Sequence, residues 1–114
     1  MLQYESHPLD RAFHALADPS RRAMVERLCH APASVSELAE RLPMTLSAVT
    51  QHLKVLEQAG LIKTSKAGRV RTCALNAETM ARIEVWIGQR KQFWERQYDQ
   101  LDAYLAQNTK EATE

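Results

Sequence analysis

The sequence predicts a mainly α-helical domain with one small β-hairpin, in the order of four helices, the hairpin and a fifth helix. Two observations predict this fold class. Leu, Ala, Glu, Gln and Arg, which favour helices, dominate the 114 residues, whereas three Gly and four Pro are few for an all-β fold. Apolar residues also recur at helical spacing along most of the chain, and only the stretch 61–75 carries strand and turn signals. At this length we expect one domain with a single core.

A short break separates the first two helices. Asp18 can cap helix 2, whose first turn tolerates Pro19, and this helix is expected to end near His30. Helix 1 is predicted over residues 8–17, with one apolar face formed by Leu9, Phe13 and Leu16. The inward residues of helix 2 are Met24, Val25 and Leu28.

Helices 3 and 4 are close in the sequence, so a tight turn must join them. Ser34 followed by Glu37 is a capping-box pattern that predicts the start of helix 3. Pro43 is expected to end helix 3 and Thr45 to cap helix 4. The predicted buried sides consist of Val35, Leu38 and Leu42 in helix 3, and of Leu46, Val49, Leu53 and Leu56 in helix 4. The opposite side of helix 4 is polar and free of acids: Ser47, Gln51, Lys54 and Gln58.

A hairpin and a long last helix follow. Gly60 stands where a helix C-terminus favours a left-handed residue. Strands are predicted over 61–65 and 70–75, joined by a turn at 66–69 that has Gly68 near its tip. The last helix is predicted from Ala77 to about Leu105. Residues 1–106 would then form the domain, and the polar residues 107–114 a frayed tail.

Composition and charge argue against several classes of protein. No apolar run reaches the ~18 residues of a membrane span, and the N-terminus lacks the pattern of a signal peptide. Cys29 and Cys73 are too few for a disulfide framework, which favours a reducing, cytoplasmic compartment. No Gly-rich phosphate loop, spaced carboxylate pair or metal cluster supports an enzyme. The net charge is only +1, but residues 61–77 contain four bases and no acid, so one edge can still attract a polyanion.

The order of these elements is that of a winged helix-turn-helix, which predicts DNA binding. Helix 4 is narrow enough to enter a major groove about 12 Å wide while its apolar side anchors it in the domain. Gln51 could pair with an adenine edge, Lys54 could reach guanine or a phosphate, and Ser47 and Thr50 suit backbone phosphates. The hairpin would bring three cationic side chains against the phosphate backbone of the DNA beside the groove: Lys66, Arg69 and Arg71. A polar face that is merely solvated, or a winged domain that docks a protein partner, remains an alternative.

Three stretches carry a resemblance to a known family: ALADPSRR at 15–22, SELAERL at 36–42 and SAVTQHLKVLEQAGLI at 47–62, followed by a K-x-G-R hairpin. Over about residues 8–76 the chain resembles the ArsR/SmtB family of bacterial transcriptional regulators. This resemblance implies a transcriptional repressor that binds double-stranded DNA. The resemblance places the DNA-contacting helix at 45–58 and the wing at 66–71. The implied DNA-binding residues are Thr45, Ser47, Ala48, Thr50, Gln51, His52, Lys54, Lys66, Arg69 and Arg71. For His52, which borders the apolar side, packing and phosphate contact both remain open.

The last helix carries an apolar, aromatic-rich stripe that four short helices cannot cover along about 43 Å. The stripe consists of Ile83, Trp86, Ile87, Trp94, Tyr98, Leu101 and Leu105, with Phe93 and Tyr104 at its border. The resemblance implies that the same helix of a second copy covers it, together with helix 1. The residues expected at this homodimer interface are Leu9, Phe13, Trp94, Tyr98, Leu101 and Leu105. A two-fold dimer would bind a palindromic operator whose half-sites lie about 34–36 Å apart.

The usual effector sites of the resembling family are not visible. Segment 34–40 lacks the Cys-x-Cys pair of arsenite- and cadmium-responsive members, and no His follows His52 to supply the last-helix ligands of zinc- and nickel-responsive members. We therefore expect no metal and no cofactor, and the small-molecule effector stays unknown. Cys29 and His30 are adjacent on a helix, so they diverge by about 100° and chelate poorly. A thiol- or metal-responsive repressor that uses Cys29 and Cys73 stays open as an alternative, beside the simpler interpretation that both are small buried hydrophobes.

Overall fold

The structure, a computed structural model, describes residues 7–113, and within this range it contains five α-helices and three β-strands. Helices α1 to α4 span Pro8–Leu16, Pro19–His30, Val35–Glu40 and Leu46–Gln58, and α5 spans Ala77–Thr113. Strands β1, β2 and β3 span Ala33–Ser34, Ile62–Ala67 and Val70–Leu75. The predicted class, mainly helical with a small β-hairpin between α4 and α5, is confirmed. No helix in the described range is long and apolar enough to cross a membrane.

Side-chain caps explain where three of the helices start. Asp18 and Thr45 each accept a hydrogen bond from the backbone N–H three residues ahead, at 3.0 and 3.1 Å. Ser34 and Glu37 form a full capping box, because each side chain accepts from the other residue's backbone N–H, at 3.1 and 3.2 Å. The predicted caps of α2, α3 and α4 are therefore confirmed.

The connection between α3 and α4 differs from the prediction. Helix α3 ends at Glu40 rather than at Pro43, so residues 41–45 separate it from α4. The physical reason lies in the backbone, where Leu42 N–H bonds to the carbonyl of Ala39, three residues back, instead of continuing the α-helical pattern. Leu42 consequently packs against the core from the connection and not from the helix.

Two further helical predictions are wrong in their detail. Leu46 was expected on the buried side of α4, but it is 58% exposed. It is the first residue of the helix and precedes the turns that pack on the core. Helix α5 continues to Thr113 rather than ending near Leu105, and at 37 residues it extends about 55 Å.

Strand β3 is the middle strand of a three-stranded antiparallel sheet of order β1-β3-β2. The two-residue strand β1 was not predicted, and it pairs Ala33 with Cys73. The hairpin turn is shorter than expected, because only Gly68 and Arg69 lie between the strands. Gly68 has a φ of +63°, the left-handed conformation that a tight two-residue turn requires at its first position.

The chain divides into two compact units, one up to Ile83 and one from Glu84 onward. The first unit contains a continuous core whose largest members include Met24, Leu28, Leu38, Val49, Leu53, Leu56, Leu61, Ile62, Cys73 and Ile83. In the described range, the second unit consists of α5 from Glu84 onward. The predicted extent of the domain, 1–106, and the predicted tail, 107–114, stay predictions.

Candidate nucleic-acid interface

Helix α4 buries one side and exposes the other. Val49, Leu53 and Leu56 are at most 5% exposed, so they fix the helix to the core of the first unit. The polar side chains predicted on the opposite face are all exposed: Ser47, Gln51, Lys54 and Gln58. Of the remaining candidates on this helix, Thr45 and Thr50 are exposed and Ala48 is half-buried. An exposed polar face without acids is therefore present on α4.

The hydroxyl groups of the two threonines are engaged differently. Thr50 Oγ1 donates to the carbonyl of Leu46 at 2.9 Å, so its hydrogen is used within the helix. Thr45 Oγ1 accepts from Ala48 N–H, which leaves its own hydrogen available for an anion. The geometry favours Thr45 over Thr50 as a donor to a phosphate.

Glu57 is the only acid between residues 47 and 58. The hydroxyl of Thr64, on β2, donates to Glu57 Oε2 at 2.5 Å. This bond joins the C-terminal end of α4 to the hairpin and gives the one negative charge of the segment a hydrogen-bond donor. The orientation of the hairpin relative to α4 is therefore fixed in part by the Glu57 side chain.

The hairpin places its cations close together. Lys66 on β2 is the direct cross-strand neighbour of Arg71 on β3, and Arg69 lies in the turn. All three side chains are exposed. Like charges directly opposite each other in a sheet are destabilising, and an anion between them removes that repulsion. Lys66 was predicted in the turn, but its place in the strand gives it a defined partner across the hairpin.

His52 lies at the junction of α2 and α4, with a side chain that is 24% exposed. Its Nδ1 atom is 3.3 Å from Arg21 Nη1 and 4.0 Å from Asp18 Oδ2. The hydrogen bond from the Arg21 backbone N–H is the main factor that holds the pKa of the Asp18 carboxyl below its usual range. Sequence reasoning missed Arg21 in this role, because it lies 31 residues from His52 and no local pattern connects them.

The two cysteines are in different environments. Cys29 is exposed, so its interpretation as a buried hydrophobe is wrong, whereas Cys73 is buried. Burial raises the pKa of the Cys73 thiol, which lowers the fraction of reactive thiolate. Across residues 7–113, no group of three or more His, Cys, Asp or Glu side chains could hold a metal ion.

The second unit exposes a row of apolar and aromatic side chains along α5. The rings of Trp94 and Tyr98 stack with their centroids 5.3 Å apart, and the guanidinium of Arg90 lies 4.7 Å from the centre of the Trp86 ring. Exposed fractions of 48–63% are found for Ile87, Phe93, Trp94, Tyr98, Leu101, Tyr104 and Leu105. In α1, Phe13 is 38% exposed and Leu9 is half-buried. A contiguous exposed apolar row of this kind is typical of an interaction surface.

Known proteins are similar to this chain in sequence and in fold. Residues 16–65 match a family described as a helix-turn-helix domain. Over 87 residues the chain is 46% identical to the HTH-type transcriptional regulator Rv2034 of Mycobacterium tuberculosis, a match that covers 76% of this chain and 78% of that protein. It matches the crystal structure of an ArsR family transcriptional regulator with a TM-score of 0.74 and 45% identity, over 78% of this chain and 98% of the other. The chain belongs to the ArsR family of helix-turn-helix transcriptional regulators.

Other transcriptional regulators match over a shorter stretch or at lower identity. The HTH-type transcriptional regulator NmtR of Mycobacterium tuberculosis is 44% identical over 55 residues, which is 48% of this chain and 46% of NmtR. An ArsR-like transcriptional regulator from Rhodococcus sp. RHA1 has a TM-score of 0.71 at 28% identity, over 82% of this chain and 89% of the other. The winged helix-turn-helix of the ArsR/SmtB type that the sequence motifs predicted is confirmed. These relatives are transcriptional regulators rather than enzymes.

Proposed function

We propose that this ArsR-family chain is a sequence-specific, DNA-binding transcriptional repressor that recognises an inverted-repeat operator as a homodimer. Regulators of this family bind DNA and typically form dimers. The observation that carries the proposal is the exposed polar face of α4, which lacks acids and is joined through Glu57 and Thr64 to a hairpin rich in cations. A polyanion is the partner that this combination fits.

The side chains near the N-terminus and the middle of α4 have different roles in the proposal. The amide of Gln51 offers a donor and an acceptor to an adenine edge, and the ammonium of Lys54 reaches guanine or a phosphate. Thr45, the N-cap, and Ser47, in the first turn, donate to phosphates beside the helix N-terminus, where the backbone N–H groups also favour anions. Ala48 is small enough to let the backbone approach the groove closely.

The wing supplies contacts that do not depend on base sequence. The three cations involved are Lys66, Arg69 and Arg71. Because Lys66 and Arg71 are opposite each other across the hairpin, a phosphate bound between them relieves their repulsion as well as pairing with both. Contacts of this kind position a protein on the duplex and add affinity, whereas base contacts give specificity.

Two copies of the chain are needed to read an inverted repeat. The proposed interface takes the exposed row of α5 together with α1, through Leu9, Phe13, Trp94, Tyr98, Leu101 and Leu105. The exposure of this row in a single chain supports the proposal, because a second copy would remove the apolar surface from water. Two-fold symmetry then places two α4 helices about one turn of DNA apart, roughly 34–36 Å.

The salt dependence of binding to DNA from the chain's own promoter region tests the function. With about six to ten phosphate contacts per dimer, affinity is expected to fall by roughly 10³–10⁵ between 50 and 200 mM salt. Fluorescence anisotropy with labelled duplexes measures this directly. Weak binding that hardly changes with salt would contradict the proposal and would favour a winged domain that docks a protein partner.

A further inference from the structure

Arg21 stands at the start of α2 and closes the end of α1. Its Nε donates to the carbonyl of Ala15 at 2.6 Å, and its Nη2 donates to the carbonyl of His14 at 3.4 Å. These carbonyls belong to the last turn of α1, where helical backbone partners run out. The His14 carbonyl also accepts from the Ala17 backbone N–H at 3.2 Å. These two hydrogen bonds hold the edge of the guanidinium that carries Nε and Nη2. The third nitrogen, Nη1, faces another side chain.

The side chain next to Arg21 Nη1 is the imidazole ring of His52. Arg21 Nη1 lies 3.3 Å from His52 Nδ1. A guanidinium has N–H groups but no acceptor, so a hydrogen bond between these atoms requires Nδ1 to accept. The neutral ring must then carry its proton on Nε2. Asp18 Oδ2, at 4.0 Å from the same nitrogen, is beyond hydrogen-bond distance and does not compete for it.

We propose that Arg21 is a positioning residue for DNA recognition, which holds His52 in the tautomer with the proton on Nε2, so that this nitrogen donates to a backbone phosphate. The inference rests on the DNA-binding function proposed above. His52 follows Gln51 on α4 and keeps 24% of its side chain exposed, so one edge of the ring is held by Arg21 while part of the ring remains accessible. A donor fixed before binding loses little freedom on binding, which is the advantage of this arrangement.

Asp18 keeps Arg21 in this position. Its Oδ2 accepts from the Arg21 backbone N–H at 3.0 Å and caps α2 in doing so. The backbone hydrogen bond from Arg21 and, to a smaller extent, the charge of its guanidinium lower the pKa of the Asp18 carboxyl. The sequence left packing and phosphate contact as alternatives for His52. In this proposal the ring does both, because Nδ1 accepts from Arg21 inside the protein and Nε2 donates to a DNA phosphate.

Arg22 provides a matched control. Its Nη1 donates to the carbonyl of Leu16 at 2.8 Å, so it also ties α2 to the end of α1. Replacing either arginine with Met removes one positive charge and hydrogen bonds to α1. Only Arg21→Met also removes the donor to His52.

The first experiment reads the tautomer in the DNA-free protein by long-range proton–nitrogen NMR of the His52 ring at a pH where the ring is neutral. The wild type and Arg22→Met are expected to show the proton on Nε2, and Arg21→Met a mixture of both tautomers. A proton on Nδ1 in the wild type would overturn the inference, as would identical spectra for the two arginine variants.

The second experiment measures affinity for the promoter DNA. Losing one hydrogen bond to a phosphate should weaken DNA binding by roughly 2- to 10-fold per subunit. We expect this loss in both Arg21→Met and His52→Ala. Arg22→Met should keep the hydrogen bond and so should not show the loss. If Arg21 acts through His52, combining the two substitutions adds nothing further. Fully additive losses would overturn the inference while leaving the proposed function intact, and a wild type that does not bind DNA would overturn both.

Substitutions of His52 itself keep the test informative if Arg21→Met does not fold. The side-chain nitrogen of Gln can take the place of Nε2, and that of Asn the place of Nδ1. His52→Gln is therefore expected to retain most of the affinity and His52→Asn to lose it. The reverse order would overturn the inference.

Discussion

Gln51 and Lys66 represent the two kinds of contact that single residues make in the proposed complex. The Gln51 amide can pair with one base edge in only one orientation, so its contribution depends on the base. The Lys66 ammonium is a point charge that attracts any phosphate within reach. Both side chains are exposed, and neither lies in the core, so substitutions there act on binding rather than on folding.

Substituting these residues should separate specificity from affinity. Gln51→Ala is expected to reduce discrimination by about 1–3 kcal/mol at one base pair of each half-site, because the bidentate contact is lost. Lys66→Gln should weaken all sequences alike and lower the salt slope by about one unit per subunit. Anisotropy titrations with single-base operator variants measure both effects.

Arg96→Gln is the control for Lys66→Gln, since it removes one charge from an exposed position on α5. It should leave the salt slope almost unchanged. Equal changes in slope for both variants would show that overall charge, and not the wing, attracts DNA.

Among the elements, α4 and the hairpin are positioned by caps, turns and a hydrogen bond that lie outside the polar face of α4. Thr45 caps α4 at one end, and Gly60 ends the helix in the left-handed conformation, with a φ of +77°. The Glu57–Thr64 bond connects α4 to β2, and Gly68 turns the hairpin. Thr45 is the one member of this set that is also proposed to touch DNA. Because the other contacts do not use side chains of the proposed interface, substitutions at those positions should alter stability separately from recognition.

Gly68 and Gly88 should respond in opposite directions to substitution by Ala. At Gly68, φ is +63°, so Ala is expected to destabilise the fold by about 1 kcal/mol through backbone strain alone, since no atom lies within 4 Å of an added Cβ. Gly88 lies within α5, also with open space around it, so Ala should favour the helix by about 0.5–1 kcal/mol. Urea unfolding of both variants tests this, and a shift of the same sign in both would refute the backbone explanation.

The elements that could be predicted are those determined by residues close in the sequence. The caps at Asp18, Ser34 and Thr45 act over three residues, so local patterns were sufficient. Strand β1 is only two residues long, and it exists because β3 lies beside it, which no local pattern shows. The exposure of Leu46 has a similar cause, since apolar spacing continues into a first turn that the core does not cover. Tertiary contacts between distant segments therefore account for most of what was missed.

In the whole molecule, recognition of an inverted repeat requires two copies of the chain. One α4 face covers a single half-site, and the specificity of one helix is too small to select an operator from a genome. The exposed apolar row of α5 supplies the surface through which a second copy can bind. Dimer formation and DNA affinity should accordingly be lost together.

Leu101→Glu tests this connection. A carboxylate buried without a partner costs about 3 kcal/mol or more, so the dimer Kd should rise by roughly 100-fold or more, and operator affinity should fall with it. Ala103→Glu, two positions along the same helix and also exposed, introduces the same charge away from the apolar row. Sedimentation velocity should show a monomer for the first variant and a dimer for the second. Two dimeric variants would exclude Leu101 from the interface.

The most direct measurement is selection of binding sites from random duplex DNA by the wild-type chain and by a Lys54→Glu variant. We expect the wild type to enrich an inverted repeat, with half-sites one helical turn or a multiple of it apart, and to bind it with two chains per duplex. We also expect the variant, which places an acid on the α4 face, to lose this sequence. Failure to enrich any repeat, or equal binding of the enriched sequence by the variant, would contradict the claim that two α4 faces recognise the operator.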